Sequence, residues 1–462
     1  MQFTFKRNAN TCAMTGRPLL FQAYHPLTKA HRRPLPLAFT LLALLLSSPK
    51  LQAQTNWNET LKAVASDRDS YDSFGISVAV DGNYAIVGAS NEDNSSPSNN
   101  YDGDGAAYIF ERGGNGNWRE VQKIVASDRA NGDEFGYSVA IDGNYAIVGA
   151  PSEDEDANGQ NTKSDAGSAY LFERNTTTGN WREVQKIVAS DRDSFYRFGY
   201  SVSISGNYAI VGSDFISRPT RRGGPSDPQA SQSVLGTTSS NPSNSAYLFE
   251  RNATTGTWSE VQKIVASDQD NDDGFGNSVS ISGNFAIVGA PYEDEDASGQ
   301  DSLNAAGSAY LFERNASGTW SEVQKIVASD RDDNDLFGNS VSISGNYAIV
   351  GTNEKDEDAS GQNTKVQAGS AYLFERDNAT GTWREAQKIV ASDRDSTDIF
   401  GFSVSISGNY AIVGALLEDE DTNGQNTKSG AGAAYLFERN ATTAIWSEVQ
   451  KIVASDRDGD DR

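Results

Sequence analysis

Four segments of the chain gather oxygen ligands at a spacing that suits a hard cation. Asp154-Glu155-Asp156-Ala157-Asn158-Gly159 recurs at 294–299, 356–361 and 419–424, always as D-x-D-x-[N/S]-G. Ca²⁺ takes about six to eight oxygens, alternate side chains of a tight loop converge on one point, and the glycine permits the sharp bend. The candidate ligands are Asp154, Asp156, Asn158 and Asp165; Asp294, Asp296, Ser298 and Asp301; Asp356, Asp358 and Ser360; and Asp419, Asp421 and Asn423. Asp165 stands twelfth in its loop, where an EF-hand carries its bidentate Glu, but Ala305, Gln367 and Gly430 stand there in the others. Asn161, Asp301, Asn363 and Asn426, two residues past the glycine, could complete a shorter cage. Calcium is thus the cofactor expectation, and its alternative is a solvated acidic loop that keeps near-identical repeats soluble. A second acidic stretch, such as Asp268 to Asp273, reads mainly as solvated linker.

A different chemistry is offered by Arg218, Arg221 and Arg222 within the segment 217–244, SRPTRRGGPSDPQASQSVLGTTSSNPSN. Clustered guanidinium groups suit a carboxylate or sulfate on a glycan or protein partner. The alternative is a Pro/Gly/Ser-rich insertion that holds no ligand.

Composition removes much else. The chain has 462 residues, 38 Lys+Arg and 63 Asp+Glu, for a net charge of −25. Such a surface repels phosphates and anionic lipid, so neither nucleic acid nor a membrane surface is an expected partner. Cys12, His25, His31, Met1 and Met14 are the only residues of their types, and all precede residue 54. The remainder therefore has no Ser-His-Asp triad, Cys nucleophile, zinc cluster or disulfide. In 1–53, Arg32 and Arg33 precede the apolar run Leu35 to Leu46, and a small residue, Ala53, closes the segment. That pattern reads as a signal peptide with a basic leader, and the run is short of the roughly 20 residues that span a bilayer. The expectation is an exported protein with no membrane insertion after cleavage.

Repetition organises the rest. Phe-Gly recurs at Phe74-Gly75, Phe135-Gly136, Phe198-Gly199, Phe275-Gly276, Phe337-Gly338 and Phe400-Gly401, and seven tryptophans from Trp57 to Trp446 keep the same beat. In SVSIS, Val202 and Ile204 alternate with serines, a half-buried strand pattern. Ser-Gly-Asn makes a tight turn into Tyr-Ala-Ile-Val, apolar enough for burial on both faces. AYLFER and EVQKIVA supply two further runs of strand length. Four strands in a unit of about 62 residues predict an all-β chain, a β-propeller of four-stranded antiparallel blades over 54–462, ahead of a β-solenoid with its shorter coils. The blade number stays open: a six-blade ring with one strand over, or a truncated seven.

Phe135-Gly136 to Gly149-Ala150-Pro151 and Phe275-Gly276 to Gly289-Ala290-Pro291 resemble the FG-GAP repeat, which builds the propeller of integrin α subunits. The resemblance implies an adhesive role. Calcium loops of that family lie between Phe-Gly and Gly-Ala-Pro, whereas the acidic loops here follow Gly-Ala-Pro, so ligands do not transfer by motif. The functional expectation is a secreted, non-catalytic binding or adhesion module that contacts an extracellular protein or glycan through its loops. A calcium-dependent matrix protein and a carboxylate-based glycan-active enzyme are the alternatives. The carboxylates recur with the repeat instead of forming one asymmetric pair, which weighs against catalysis. Asn-x-Ser/Thr at Asn58, Asn94, Asn175, Asn252, Asn315, Asn378 and Asn440 offers glycan acceptors in a host that uses them.

Overall fold

A computed structural model describes residues 57, 59, 61–93, 103–213, 244–270 and 273–459. The leader 1–53 and Arg218, Arg221 and Arg222 lie outside the described residues. The described chain is all β, with six sheets of four antiparallel strands each in sequence order and no helix. It is a six-blade β-propeller.

Blade two shows how the repeat folds. Its inner strand Ser138–Asp142 turns into Tyr145–Ala150, then Ser168–Arg174, then the outer strand Trp181–Ile187. Asp142 pairs directly with Tyr145 across a two-residue turn, and Gly143 supplies the positive φ of 59° that such a hairpin requires. Residues 146–150 of the second strand are buried, as their continuous apolar run demands. The outer pairing slips between Leu171 and Phe172, a bulge found in all six blades, which adds local twist.

Blades pack by interdigitating the second- and third-strand face of one with the inner face of the next. One cluster joins Ile147, Ala169 and Leu171 of blade two to Phe198, Val202, Ile204 and Trp258 of blade three. The close approach rests on glycine. A Cβ on Gly149 would lie 2.0 Å from the Gly199 carbonyl, and Gly88, Gly212, Gly289 and Gly351 meet the next Phe-Gly carbonyl in the same way. This is why the motif keeps one glycine in each half.

The serines of the inner strand have a job that alternation alone did not reveal. Val279, Ile281 and Gly283 donate their backbone N–H to the hydroxyls of Ser201, Ser203 and Ser205 of the preceding blade, at 3.0–3.2 Å. Ser278, Ser280 and Ser282 repeat this toward Val341, Ile343 and Gly345. Strand edges left open by the blade geometry are thereby satisfied. At the rim, Gln122 both donates to the Trp181 carbonyl and accepts from the Trp181 N–H, a brace repeated by Gln185, Gln262, Gln324 and Gln387.

Every outer strand also carries a Glu that accepts from a serine of the preceding blade: Ser127 to Glu183, Ser190 to Glu260, Ser392 to Glu448. Ser455, after blade six, donates in the same way to Glu59. Ala65 then enters the core of blade one. Glu59 thus takes, between blades six and one, the acceptor place that the outer-strand Glu holds at the other junctions.

Candidate functional site

The acidic loops are closed by their own hydrogen bonds. In the first, Asp156 accepts from the N–H groups of Asn158 and Gln160 and from the Asn161 side-chain amide, while Asp154 accepts from the Asp165 N–H. Asp296, Asp358 and Asp421 repeat the Asp156 role toward Ser298, Ser360 and Asn423. These bonds hold the Asp156 carboxyl below the usual carboxylate range. Asp294 and Asp356 accept from Ala305 and Gln367 as Asp154 does from Asp165.

A cation already braces each loop. Arg192, from the Ala-Ser-Asp-Arg run of the following unit, donates 2.6 Å bonds to the carbonyls of Asn161 and Asp154. Arg331 bridges Asp301 and Asp294, Arg394 bridges Asn363 and Asp356, and Arg457 bridges Asn426 and Asp419. Among the described residues no three acidic side chains gather as a metal site. The expected calcium ligands are brought together loop by loop, their carboxylates accepting from the loop's own N–H groups while the arginine takes the backbone carbonyls.

The second acidic stretch departs further from expectation. Asp72, Asp133, Asp273, Asp335 and Asp398, each two residues before Phe-Gly, are buried, so they are not solvated linker. Glu153 faces Asp133 and is fully buried. Burial, then the Glu153 charge, pushes Asp133 up to about 8. Asp398 rises to about 7 by burial first and its neighbour Glu418 after. Around Glu153, Tyr170 donates to Glu153 and Asp128, and Lys186 stands 2.8 Å from Asp128 and 3.2 Å from Glu153. The same quartet forms at Tyr310, Asp268, Glu293 and Lys325, and at Tyr435, Asp393, Glu418 and Lys451. Glu153, Tyr170 and Lys186 are buried while Asp128, from the preceding unit, reaches solvent, and the repeated group ties neighbouring blades together.

One row breaks the repetition. The residue after each Phe-Gly is Ile76, Tyr137, Tyr200, Asn277, Asn339 or Phe402. Neighbours in this row meet where the inner strands begin: Tyr137 and Tyr200 lie 5.1 Å apart, and the Asn339 side-chain amide donates to the Phe402 carbonyl. Arg197 lies over both tyrosine rings, 5.6 and 5.2 Å from their centroids, and pairs with Glu134 at 3.1 Å. The start of the inner strands thus carries a tilted tyrosine pair under Arg197, with Asn277 and Asn339 in the same row. Sequence reasoning passed over this row; its signal was variation in residue chemistry inside an otherwise uniform strand.

The FG-GAP repeat family matches residues 57–110, 118–172, 181–226, 258–312, 320–374 and 383–437. The chain belongs to the FG-GAP repeat family. No curated protein matches it. Among solved structures, the FG-GAP propeller is similar to a Bacteroides uniformis chain described as "a putative 6-phosphogluconolactonase", with 12% identity, TM-score 0.51, and coverage of 88% of this chain and 91% of that one. A Lactobacillus plantarum protein aligns at 11% identity and TM-score 0.48, covering 88% and 91%. These identities speak to fold alone. They nevertheless correct one expectation. The fold is shared with a chain whose description names an enzyme, so a non-catalytic adhesion module no longer follows from the FG-GAP propeller, and that reading is withdrawn.

Proposed function

We propose that this FG-GAP propeller binds a small polyhydroxylated ligand, of the sugar class, at the axial end of its inner strands. The supporting observation is the Tyr137–Tyr200 pair, 5.1 Å apart under Arg197, in an inner-strand row whose chemistry changes from blade to blade. Aromatic faces bury the C–H face of a sugar ring, and a few convergent polar groups then fix its orientation. Asn277 and Asn339 of the same row supply such amides. Export, as read from 1–53, is part of the proposal and places the site outside the cell.

The test is calorimetric titration of the chain with a panel of neutral mono- and disaccharides and sugar acids. Saturable binding by one class, weakened at least about tenfold in a Tyr137→Ala/Tyr200→Ala variant of unchanged melting temperature, supports the reading. Absence of binding across the panel, or binding indifferent to the tyrosines, overturns it.

A further inference from the structure

Blade three is approached by a run unlike the others. The residues before its Phe-Gly are Phe195, Tyr196 and Arg197, where blade two has Gly132, Asp133 and Glu134 and blade five has Asn334, Asp335 and Leu336. Tyr196 and Arg197 are buried, but Phe195 is 47% exposed. Its backbone stands at φ 66°, a left-handed conformation that is costly for a bulky side chain and free for glycine. The backbone there does the same work in other blades. Phe195 donates its N–H to the Ser164 carbonyl, as Gly132 does to Gly103, Asn334 to Asn304 and Thr397 to Val366, all at positive φ. Glycine in blade two shows that this bond needs no side chain. Phe195 therefore carries strain and an exposed ring with little burial in return, the pattern of a residue that works on something outside the fold.

Its place indicates what that is. Phe195 is two residues from Arg197, at most about 7 Å along the backbone, and Arg197 lies over both Tyr137 and Tyr200. Phe195 thus belongs to the surroundings of the tyrosine pair, on the side where Ser164 and Asp165 close the acidic loop. We infer that Phe195 is a second stacking platform and that the ligand is an oligosaccharide running from the Tyr137–Tyr200 pair to Phe195. The inference rests on the sugar reading of that pair. Separate aromatic faces each cover the C–H face of a different sugar ring, and linking two weak contacts raises affinity through effective concentration. Tyr71 of blade one holds the same backbone position, exposed and at φ 75°, two blades from Phe195, and serves as the control.

The experiment is calorimetry of the full chain with the mono- to tetrasaccharide series of glucose, mannose, N-acetylglucosamine and galacturonic acid. One series is expected to gain about tenfold or more in affinity with length. Phe195→Gly should abolish that gain, leave monosaccharide affinity within about twofold, and melt no lower than the parent, since glycine accepts φ 66°. Phe195→Tyr and Tyr71→Gly should both keep the gain. A monosaccharide that binds through the tyrosines without gain on lengthening overturns the oligosaccharide inference and spares the reading of the pair, whereas no binding at any length overturns both. A gain that survives Phe195→Gly, or that Tyr71→Gly removes equally, overturns the inference. So does a Phe195→Gly variant that melts several degrees lower, because the ring would then be serving the fold.

Discussion

Lys355 donates a 2.9 Å bond to Asp335, both buried, at the place where blade two sets Glu153 against Asp133. One repeat thus fills with an ammonium group the site that others fill with a second carboxyl. Asp335 rises by burial to about 6, held down by Lys355, while Asp398, beside Glu418, reaches about 7.

These raised acids give stability a defined pH dependence. Between the unfolded value near 3.8 and the folded value near 7, the native state binds more protons than the unfolded one, so stability falls as pH rises through that window. Asp191, Asp268 and Asp330 are lowered, despite burial, by their Lys and Tyr partners, and lose their contribution below about pH 4. The melting temperature should therefore peak near pH 4 and decline toward pH 8.5. Asp398→Asn should be more favourable at pH 8.5 than at pH 5 by on the order of 2 kcal/mol, read from urea unfolding at both values. Equal effects at the two values would refute the assignment.

Lys186→Met tests the quartet around Glu153. It strips the cation from Glu153 and Asp128, and the loss of one partner of a buried pair costs about 3–5 kcal/mol. Tyr170→Phe removes a donor shared by the same two carboxylates and should cost about 1–3 kcal/mol. Chemical denaturation ranks the two, and the lysine variant must be the worse.

Gly149→Ala and Gly414→Ala make the same chemical change at equivalent points of blades two and six. The first puts a methyl 2.0 Å from the Gly199 carbonyl and should destabilise by more than about 3 kcal/mol. The second meets only the movable Ser403 hydroxyl and should stay within about 1 kcal/mol. Thermal melts of the pair decide it.

Arg192→Ala removes both bonds that tie the Asp154 and Asn161 carbonyls. The loop 154–165 should become the first site cut by a nonspecific protease, with cleavage mapped by mass spectrometry. Millimolar Ca²⁺ should shift the parent's melting temperature by less than about 1 °C, because the acceptors are engaged already. A rise of several degrees would return the loops to the metal reading.

The sequence made the strands legible because a period of two and a tight Ser-Gly-Asn turn are local facts. Val202 and Ile204 face the core as their alternation requires. What Ser203 does was illegible, since its partner Ile281 is a blade away and only packing brings them together. Asp133 misled for the same reason: among other acids it looks solvated, and its burial depends on Glu153 closing over it. The acidic loops were found by pattern, but spacing did not show that their carboxylates accept from the loop's own N–H groups while Arg192 takes the backbone carbonyls. Tyr137 and Tyr200 were visible as letters, and their contact was not.

The brace from Gln122 to Trp181 recurs unchanged at four further junctions. Each blade is consequently close to an interchangeable part: this brace does not identify which neighbour belongs there, and only local contacts such as Arg197 to Glu134 add to the order that chain connectivity imposes. Gene-level duplication or loss of one unit would leave every remaining joint intact, so blade number can drift without new interfaces evolving. The same anonymity has a kinetic cost. In refolding, a unit can close on the wrong neighbour or on another molecule with native-quality contacts, so yield should be governed by dilution more than by temperature.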